Sequence, residues 1–423
     1  MPRRVVITGM GPVTSIGIGK DAFWRSLLRK GIVVSPVPEA FERTCQLHSR
    51  WYAPLPAVSL GDYGMDFHFA SAMQPEDRMA VAGAKLALDD AGFPLERTGA
   101  GLAVKDLGSC SVLIGTGLSG LQSAFESYLA HRLPQELLDR LAVQKRIKFN
   151  RMVIPATMPN SPAAWVSICF GVHGQSATIN ASCASGTCAV GEAFRRIRDG
   201  YDDTVLCGGV ENLRDESGAI MRGFDILGTL TKSKDGPPRP FSKNRSGFLF
   251  AEGAACLLVM EALERARSRK ARVYAEVLDY RACSDAANIV QIEKEGRQIA
   301  RMLAEISRGR HIDYLNAHGT GTEPNDDVEA RAVASVFGAR AEQPLVNSTK
   351  GILGHTLGAS GALEAAVTAL SLTQGVVHGN LTDDPVEGLN LPLEPVTRPI
   401  RTALTVSYGF GGHNAALLLG KVP

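Results

Sequence analysis

Short runs of β-branched and aliphatic residues alternate along this chain with segments of helical period, and that alternation limits the fold more than any other feature. Candidate strands are Val5–Thr8, Ser111–Ile114, Thr178–Ala181, Val205–Cys207, Ile312–Asn316, Leu345–Asn347 and Leu404–Ser407. Candidate helices are Arg78–Ala91, Ala184–Asp199, Asp327–Phe337 and Ala359–Leu372. Strands interleaved with helices predict a layered α/β fold. The 423 residues, 45% of them apolar, predict two domains or one internal duplication. The chain divides near residue 265, into 1–265 and 266–423, and both sides repeat a strand, a small-residue turn and a helix. No sequence repeat is strong enough to prove duplication. The stretch TLTKSKDGPPRPFSKNRSG, 229–247, reads as a long surface loop.

Several function classes are disfavoured. With 45 basic and 43 acidic residues the net charge is +2, which gives no support for a general nucleic-acid binder. No apolar run approaches the roughly 20 residues of a membrane span. The N-terminal MPRRVVITGMGPVTSIG is too broken by Gly and Pro for a signal peptide. A cytoplasmic protein without membrane association is expected. Its eight cysteines are scattered, with no CxxC and no zinc-like Cys/His spacing, so no metal site is expected and the thiols should be reduced.

Two glycine patterns raise a dinucleotide reading. Gly115-Thr-Gly117-Leu-Ser-Gly120 fits GxGxxG after a strand, but a polar, helix-like segment follows where a second strand would be needed. A tight turn is the simpler account. Gly9-Met-Gly11 lacks the third glycine.

Cys183 and Cys188 lie in ATINASCASGTCAVGEAF, 177–194. TINA reads as a strand, and a helical stripe of Val190, Ala193, Phe194 and Ile197 follows. Cys183 therefore falls at the strand-to-helix turn, where unpaired N–H groups and the helix dipole lower a thiol pKa. Cys188 lies about 140° further round the helix, too far to share a metal or a disulfide. Local context leaves two readings of Cys183: an activated nucleophile or a buried structural thiol. His318, in DYLNAHGTGTEPNDDVEA, follows a strand and opens a turn of small residues. Lys350 and His355, in LVNSTKGILGHTLGASGALEAA, do the same. Gly409-Phe410-Gly411-Gly412 interrupts an apolar strand pair, and is either backbone beside a ligand or a bulged hairpin.

In combination these residues resemble a β-ketoacyl-acyl-carrier-protein synthase, a KAS II-like ketosynthase of the thiolase superfamily. The resemblance runs from VVITGMGPVTSIG to SYGFGGHNAALLL. It rests on the small-residue turn around Cys183, on NAHGTGT with Asp326 and Glu329 behind it, on K-x4-H, on GFGG, and on RPFSKNRSGFLFAEGAA. The fold it implies is thiolase-like, with duplicated mixed β-sheets layered with helices as αβαβα. It implies Cys183 as the acyl-carrying nucleophile, and His318 and His355 as donors to the malonyl thioester carbonyl and its enolate. Lys350 is implied either as a catalytic residue or as half of an ordering ion pair. Glu329 and Glu364 are implied as partners of Lys350 or orienters of the site, and Asp326 matches a third acidic position. The N–H groups of Cys183 and Phe410 match an oxyanion hole, the Phe410 ring a mobile gate, and Leu118 an acyl-pocket wall.

The activity implied is decarboxylative Claisen condensation of the acyl chain on Cys183 with malonyl-acyl carrier protein. It calls for no metal or organic cofactor, the substrates riding on the phosphopantetheine of the acyl carrier protein. A homodimer, or a heterodimer with a chain-length-factor homologue, is implied. Lys145, Arg146, Lys148 and Arg151 form a basic run that is either a carrier-protein docking patch or a solvated helix face. Three departures from the family pattern are Ser182 where Ala is usual, Ala251-Glu252-Gly253 in place of GEG, and a shortened SDAANIVQIEKEGRQIARML. They favour type II polyketide or polyene synthesis over housekeeping fatty-acid elongation. A non-catalytic chain-length-factor-like subunit would lack the cysteine.

Overall fold

The computed structural model describes residues 2–422 apart from 45, 66–69, 99–100, 106, 108, 133, 135 and 137–151. Ten strands form the path of one mixed sheet: β1 (Val5–Thr14), β2 (Ser111–Gly115), β3 (Ser176–Ile179), β4 (Thr204–Asn212), β5 (Gly253–Ala262), β6 (Ala275–Ser284), β7 (Tyr314–Asn316), β8 (Leu345–Asn347), β9 (Thr402–Gly409) and β10 (His413–Gly420). Their spatial order is β8-β7-β9-β10-β6-β1-β5-β4-β2-β3, with the short strand Gly17–Ile18 added beside β1.

That order contains a duplication which the amino-acid sequence hides. From the middle outward, each half runs first strand, fifth, fourth, second, third. In both halves the inner two pairings are antiparallel and the outer two parallel. The halves join where Val5–Ile7 of β1 pairs antiparallel with Ala275–Val277 of β6. The two sheets expected from the resemblance are thus continuous along one edge-to-edge seam.

Helices complete the layers. α1 (Pro75–Ala91) and α2 (Ser161–Phe170) cover the strands of the first half. α4 (Arg297–Ser307) covers the second half, with α5 (Glu323–Phe337) packed on it. Between the halves lie α3 (Ser185–Arg198) and α6 (Ser360–Gln374), which touch each other and strands of both halves. The result is the αβαβα stack of a thiolase-like fold. α6 is buried at every position from Ser360 to Leu372 because it has a neighbour on all sides, and its sequence is accordingly small or apolar all round except at Glu364, which is ion-paired.

Glycines set the closeness of these layers. A Cβ on Gly11 of β1 would lie 2.0 Å from the Gly83 carbonyl of α1. At the α3–α6 crossing, a Cβ on Gly361 would lie 2.0 Å from Thr187 Oγ1 and 2.5 Å from its backbone nitrogen. One on Gly186 would meet the Ala362 nitrogen and the Gly358 carbonyl at 2.8 Å each.

All seven strands read from sequence are present, with shifted ends. β1 extends past Thr8 through Gly9, Gly11 and Pro12, residues that argue against a strand but here allow α1 to approach. β5, β6, α2 and α4 were not among the elements read from sequence. The 229–247 segment has no helix or strand of its own, but it is not purely a surface loop. Phe241 is wholly buried with φ 58°, and its N–H donates to the Asp326 carboxylate at 2.7 Å.

Alanine favours a helix over glycine by about 1 kcal/mol, so Gly361→Ala would stabilise an open helix. At this crossing the forced separation of α3 and α6 is expected to dominate, with a net loss of about 1–3 kcal/mol. The denaturation midpoint measures it; a raised midpoint would show that the helices part freely.

Candidate active site

Cys183 stands in the turn between β3 and α3, two residues before the first helical residue. Ser182 bends the chain there with φ 53°. Asn180 Oδ1 accepts the Ser182 N–H at 3.2 Å, and Ser185 Oγ donates to the Ser182 carbonyl at 2.6 Å. The Ser182 hydroxyl lies 3.8 Å from the Cys183 sulfur. Gly409, at the end of β9, presses on this turn: a Cβ there would meet the Ala181 carbonyl at 2.6 Å. The next residue, Phe410, directs its N–H at the Cys183 sulfur.

The other half of the fold supplies two histidines. His355 follows β8 and a single helical turn, Lys350–Leu353. Its Nε2 is 3.2 Å from Cys183 Sγ. Its Nδ1 accepts the Leu357 N–H at 3.2 Å and lies 3.1 Å from Ser360 Oγ. Nδ1 is therefore an acceptor, and in the neutral ring Nε2 carries the hydrogen, aimed at sulfur. His318 follows β7, its ring 5.5 Å from that of His355. Lys350 Nζ lies 3.2 Å from His318 Nδ1 and donates to its carbonyl at 2.8 Å, so His318 too keeps its ring proton on Nε2.

Charge around these rings is arranged by burial. Lys350 is ion-paired with Glu364 inside the protein. Glu329 does not take Lys350; its carboxylate accepts the His318 and Gly319 N–H groups, each at 2.8 Å, and so orients the His318 turn. Asp326 accepts the N–H groups of Phe241 and Gly321. Burial pushes Glu329 and Glu364 up to about 7, against the pull of their hydrogen bonds and of Lys350. Burial also holds both histidines well below the ordinary imidazole value, and the Lys350 charge adds to it. Both rings are neutral donors at physiological pH.

The thiol departs from the expectation drawn from its place before a helix. Cys183 is 4% exposed, and burial pushes its pKa up. The Ser182 hydroxyl, the Lys350 charge and the Phe410 N–H pull it down without prevailing. The resting group is a thiol beside a neutral imidazole, because desolvation of a thiolate outweighs the turn's local field.

An open cavity is lined by Cys183, His318, His355 and Phe410, with Thr320, Tyr408 and Asn414 among its polar walls. Leu118 does not line it; the side chain is 37% exposed, while its N–H donates to Glu211. Cys188 lies apart, packed with Tyr280 on the far face of α3. Lys145, Arg146, Lys148 and Arg151 lie outside the described residues. No group of three or more potential metal ligands occurs among the described residues.

Sequence reasoning missed Glu211. This buried carboxylate on β4 accepts N–H groups from Gly117 at 2.8 Å, Leu118 at 2.9 Å and Gly358 at 2.9 Å. The GxGxxG turn thus already holds a carboxyl group, supplied by the protein itself. Through Gly358 the same carboxylate ties that turn to the loop behind His355. Its only sequence signal is an acid ending the apolar run TVLCGGVEN.

Removing the Lys350 charge in Lys350→Met is expected to move the pH profile of Cys183 alkylation by iodoacetamide upward, because that cation lowers the thiol pKa. Rates measured over about pH 6–10 test it; a profile unmoved or shifted downward would contradict the electrostatics described.

Residues 2–265 match the family described as Beta-ketoacyl synthase, N-terminal domain, and residues 274–382 match Beta-ketoacyl synthase, C-terminal domain. The chain is 32% identical to 3-oxoacyl-[acyl-carrier-protein] synthase 2 of Vibrio harveyi, with 99% of each covered. It is 30% identical to the protein of that name in Coxiella burnetii (strain RSA 493 / Nine Mile phase I), again over 99% of each. Among solved structures it resembles AntDE:AntF, a type II PKS acyl-carrier protein in complex with its ketosynthase bound to the hexaketide. There the TM-score is 0.85 at 26% identity, over 100% of both chains. It resembles the ishigamide ketosynthase/chain length factor at TM-score 0.84 and 30% identity, over 100% of both.

Proposed function

We propose that this chain, which belongs to the β-ketoacyl synthase family, condenses an acyl group held on Cys183 with malonyl-acyl carrier protein. The observation that carries the reading is the convergence on one sulfur of His355 Nε2, 3.2 Å away, and the Phe410 N–H. In the first half-reaction Cys183 sulfur attacks the acyl thioester, and the carrier leaves as a thiol that takes up the Cys183 proton. The developing oxyanion is met by the N–H groups of Cys183 and Phe410. In the second, malonyl carrier protein loses CO2. The Nε2–H groups of His318 and His355 hold the enolate oxygen, and fixed donors serve such a developing charge best. The enolate carbon attacks the acyl-enzyme, the Cys183 sulfur departs as a thiolate that takes up a proton from solvent, and a β-ketoacyl carrier protein two carbons longer is released. Lys350 acts by holding His318, balanced by Glu364. The chemistry needs neither a metal nor an organic cofactor, because decarboxylation supplies the carbanion.

The pathway favoured is type II polyketide or polyene synthesis, supported by the departures at Ser182 and 251–253 and by the two structural neighbours. Fatty-acid elongation is the second reading, supported by the names of the curated relatives. The acyl carrier protein is the substrate-bearing partner. A second subunit, either a copy of this chain or a chain-length-factor homologue, fits the open edge of β3. Near that edge, where Thr178 and Asn180 bond the Pro159 and Gly117 carbonyls, Leu118 and Met158 expose apolar surface. No helix among the described residues is long and apolar enough to cross a membrane.

Cys183→Ala is expected to abolish acylation and condensation; intact mass would refute this assignment by showing a carrier-derived acyl group on the variant. His318→Ala and His355→Ala are expected to keep self-acylation and lose condensation by about 10²–10³-fold. Full turnover by either would remove it from the mechanism. Charge reversal at Lys145, Arg146, Lys148 and Arg151 is expected to raise KM for carrier-borne substrates and leave it unchanged for small thioesters.

A further inference from the structure

Glu211 is wholly buried near the end of β4, and one of its oxygens is shared by the two halves of the fold. Oε2 accepts the Gly117 N–H of the first half at 2.8 Å and the Gly358 N–H of the second half at 2.9 Å. Oε1 accepts the Leu118 N–H at 2.9 Å. The two backbones abut at Oε2: a Cβ on Gly358 would lie 2.6 Å from the Gly117 nitrogen and 2.8 Å from that oxygen. The mechanism above gives this carboxyl no part, and it does not line the cavity.

What it holds on either side does take part. Between His355 and Gly358 lies Leu357, whose φ of 44° is a left-handed conformation that a bulky side chain rarely adopts. Such a backbone persists only where its surroundings over-determine it. Leu357 is fixed at two successive N–H groups. Its own donates to His355 Nδ1 at 3.2 Å, and that of Gly358 donates to Glu211. The first of these bonds keeps the ring hydrogen on Nε2, facing Cys183 Sγ. On the other side of Glu211, Asn180 Nδ2 donates to the Gly117 carbonyl at 2.9 Å. Asn180 Oδ1 accepts the Ser182 N–H at 3.2 Å, within the turn that carries Cys183. Hydrogen bonds therefore run from the Cys183 turn through Asn180, Gly117, Glu211 and Gly358 to the backbone that orients the His355 ring.

We infer that Glu211 is a positioning residue of the condensation, which holds the strained Leu357–Gly358 backbone against the Gly117 turn and so sets the aim of the His355 Nε2–H. The inference rests on the ketosynthase reading above. Glu211→Gln keeps the size of the side chain but exchanges one acceptor oxygen for a donor, so it cannot serve all three N–H groups. Condensation and self-acylation are measured on Glu211→Gln, on His355→Ala and on the double variant, each shown to be folded by circular dichroism. Expected for Glu211→Gln are a fall of about 10–100-fold in kcat for condensation, an unchanged KM for malonyl carrier protein and retained self-acylation of Cys183. In the His355→Ala background the same substitution is expected to cause no further loss, because the group it positions is gone. Losses that multiply in the double variant would show that Glu211 acts independently of His355, and the inference fails. Full condensation by Glu211→Gln overturns it equally. Where Glu211→Gln does not fold, Glu211→Asp carries the same cycle, since it keeps both oxygens and draws them back by one methylene. If that variant is unfolded too, Glu211 supports the whole fold rather than His355, and the inference fails. A wild-type protein that neither acylates Cys183 nor condenses defeats the ketosynthase reading instead.

Discussion

The contact on which the rest depends is the crossing of two buried helices, α3 and α6, at positions that carry almost no side chain. Gly186 and Gly361 let the helix backbones approach as closely as carbon packing allows. α3 begins just after Cys183, and α6 just after His355. The separation of the helices therefore fixes the separation of sulfur and imidazole, which lie 172 residues apart in sequence. Glu211 adds a second tie between the halves by gripping backbone N–H groups from Gly117, Leu118 and Gly358. A catalytic geometry made from two halves requires such a seam, and here it is built from small residues and one buried carboxylate.

The same seam removes water, and that sets the electrostatics. Lys350 and Glu364 are nearly free of solvent contact, so each depends on the other for its charge. Glu211, Glu329 and Glu364 are all pushed up to about 7 by burial; Glu211 and Glu329 spend their oxygens on backbone N–H groups, and Glu364 spends Oε1 on Lys350 while its Oε2 has no partner among the described residues. Few charges are left facing the cavity. What faces it is a set of neutral donors in fixed positions, which need no reorganisation when negative charge appears on a substrate oxygen.

Local signals carried most of the sheet and singled out Cys183, His318 and His355, while the roles proposed for those three came from the family resemblance. β8 was legible to the residue because LVN stands between turn-forming segments. β6 was not, since Glu276, Asp279 and Arg281 break its apolar pattern, with Glu276 answered by Arg4 from the N-terminal end of the chain. Duplication was expected from chain length and from the resemblance but left no provable repeat in the residues, because it is written in strand order rather than in residue identity. Glu211 was illegible because its role arises across the fold: it meets Gly358 at a separation of 147 residues. The direction of the Cys183 pKa was misjudged from the turn alone, where helix-end electrostatics favours the thiolate; tertiary burial reverses it.

That reversal bears on how the site spends its burial. A thiolate in this pocket is penalised by lost hydration, whereas a thioester on the same sulfur is neutral and loses little by being buried. Desolvation therefore favours the acyl-enzyme over the free thiolate, and the surrounding apolar packing of Phe248, Phe250, Leu357 and Phe410 limits water that would hydrolyse it. Ser182 fits this balance. Its φ of 53° bends the chain so that the Cys183 sulfur meets His355 and the Phe410 N–H. Its hydroxyl, 3.8 Å from the sulfur, joins the His355 Nε2–H, 3.2 Å away, as a nearby side-chain donor that eases ionisation when a thioester arrives. The turn that holds Cys183 is thus tuned less to keep a reactive anion waiting than to release one briefly and then hold its neutral product.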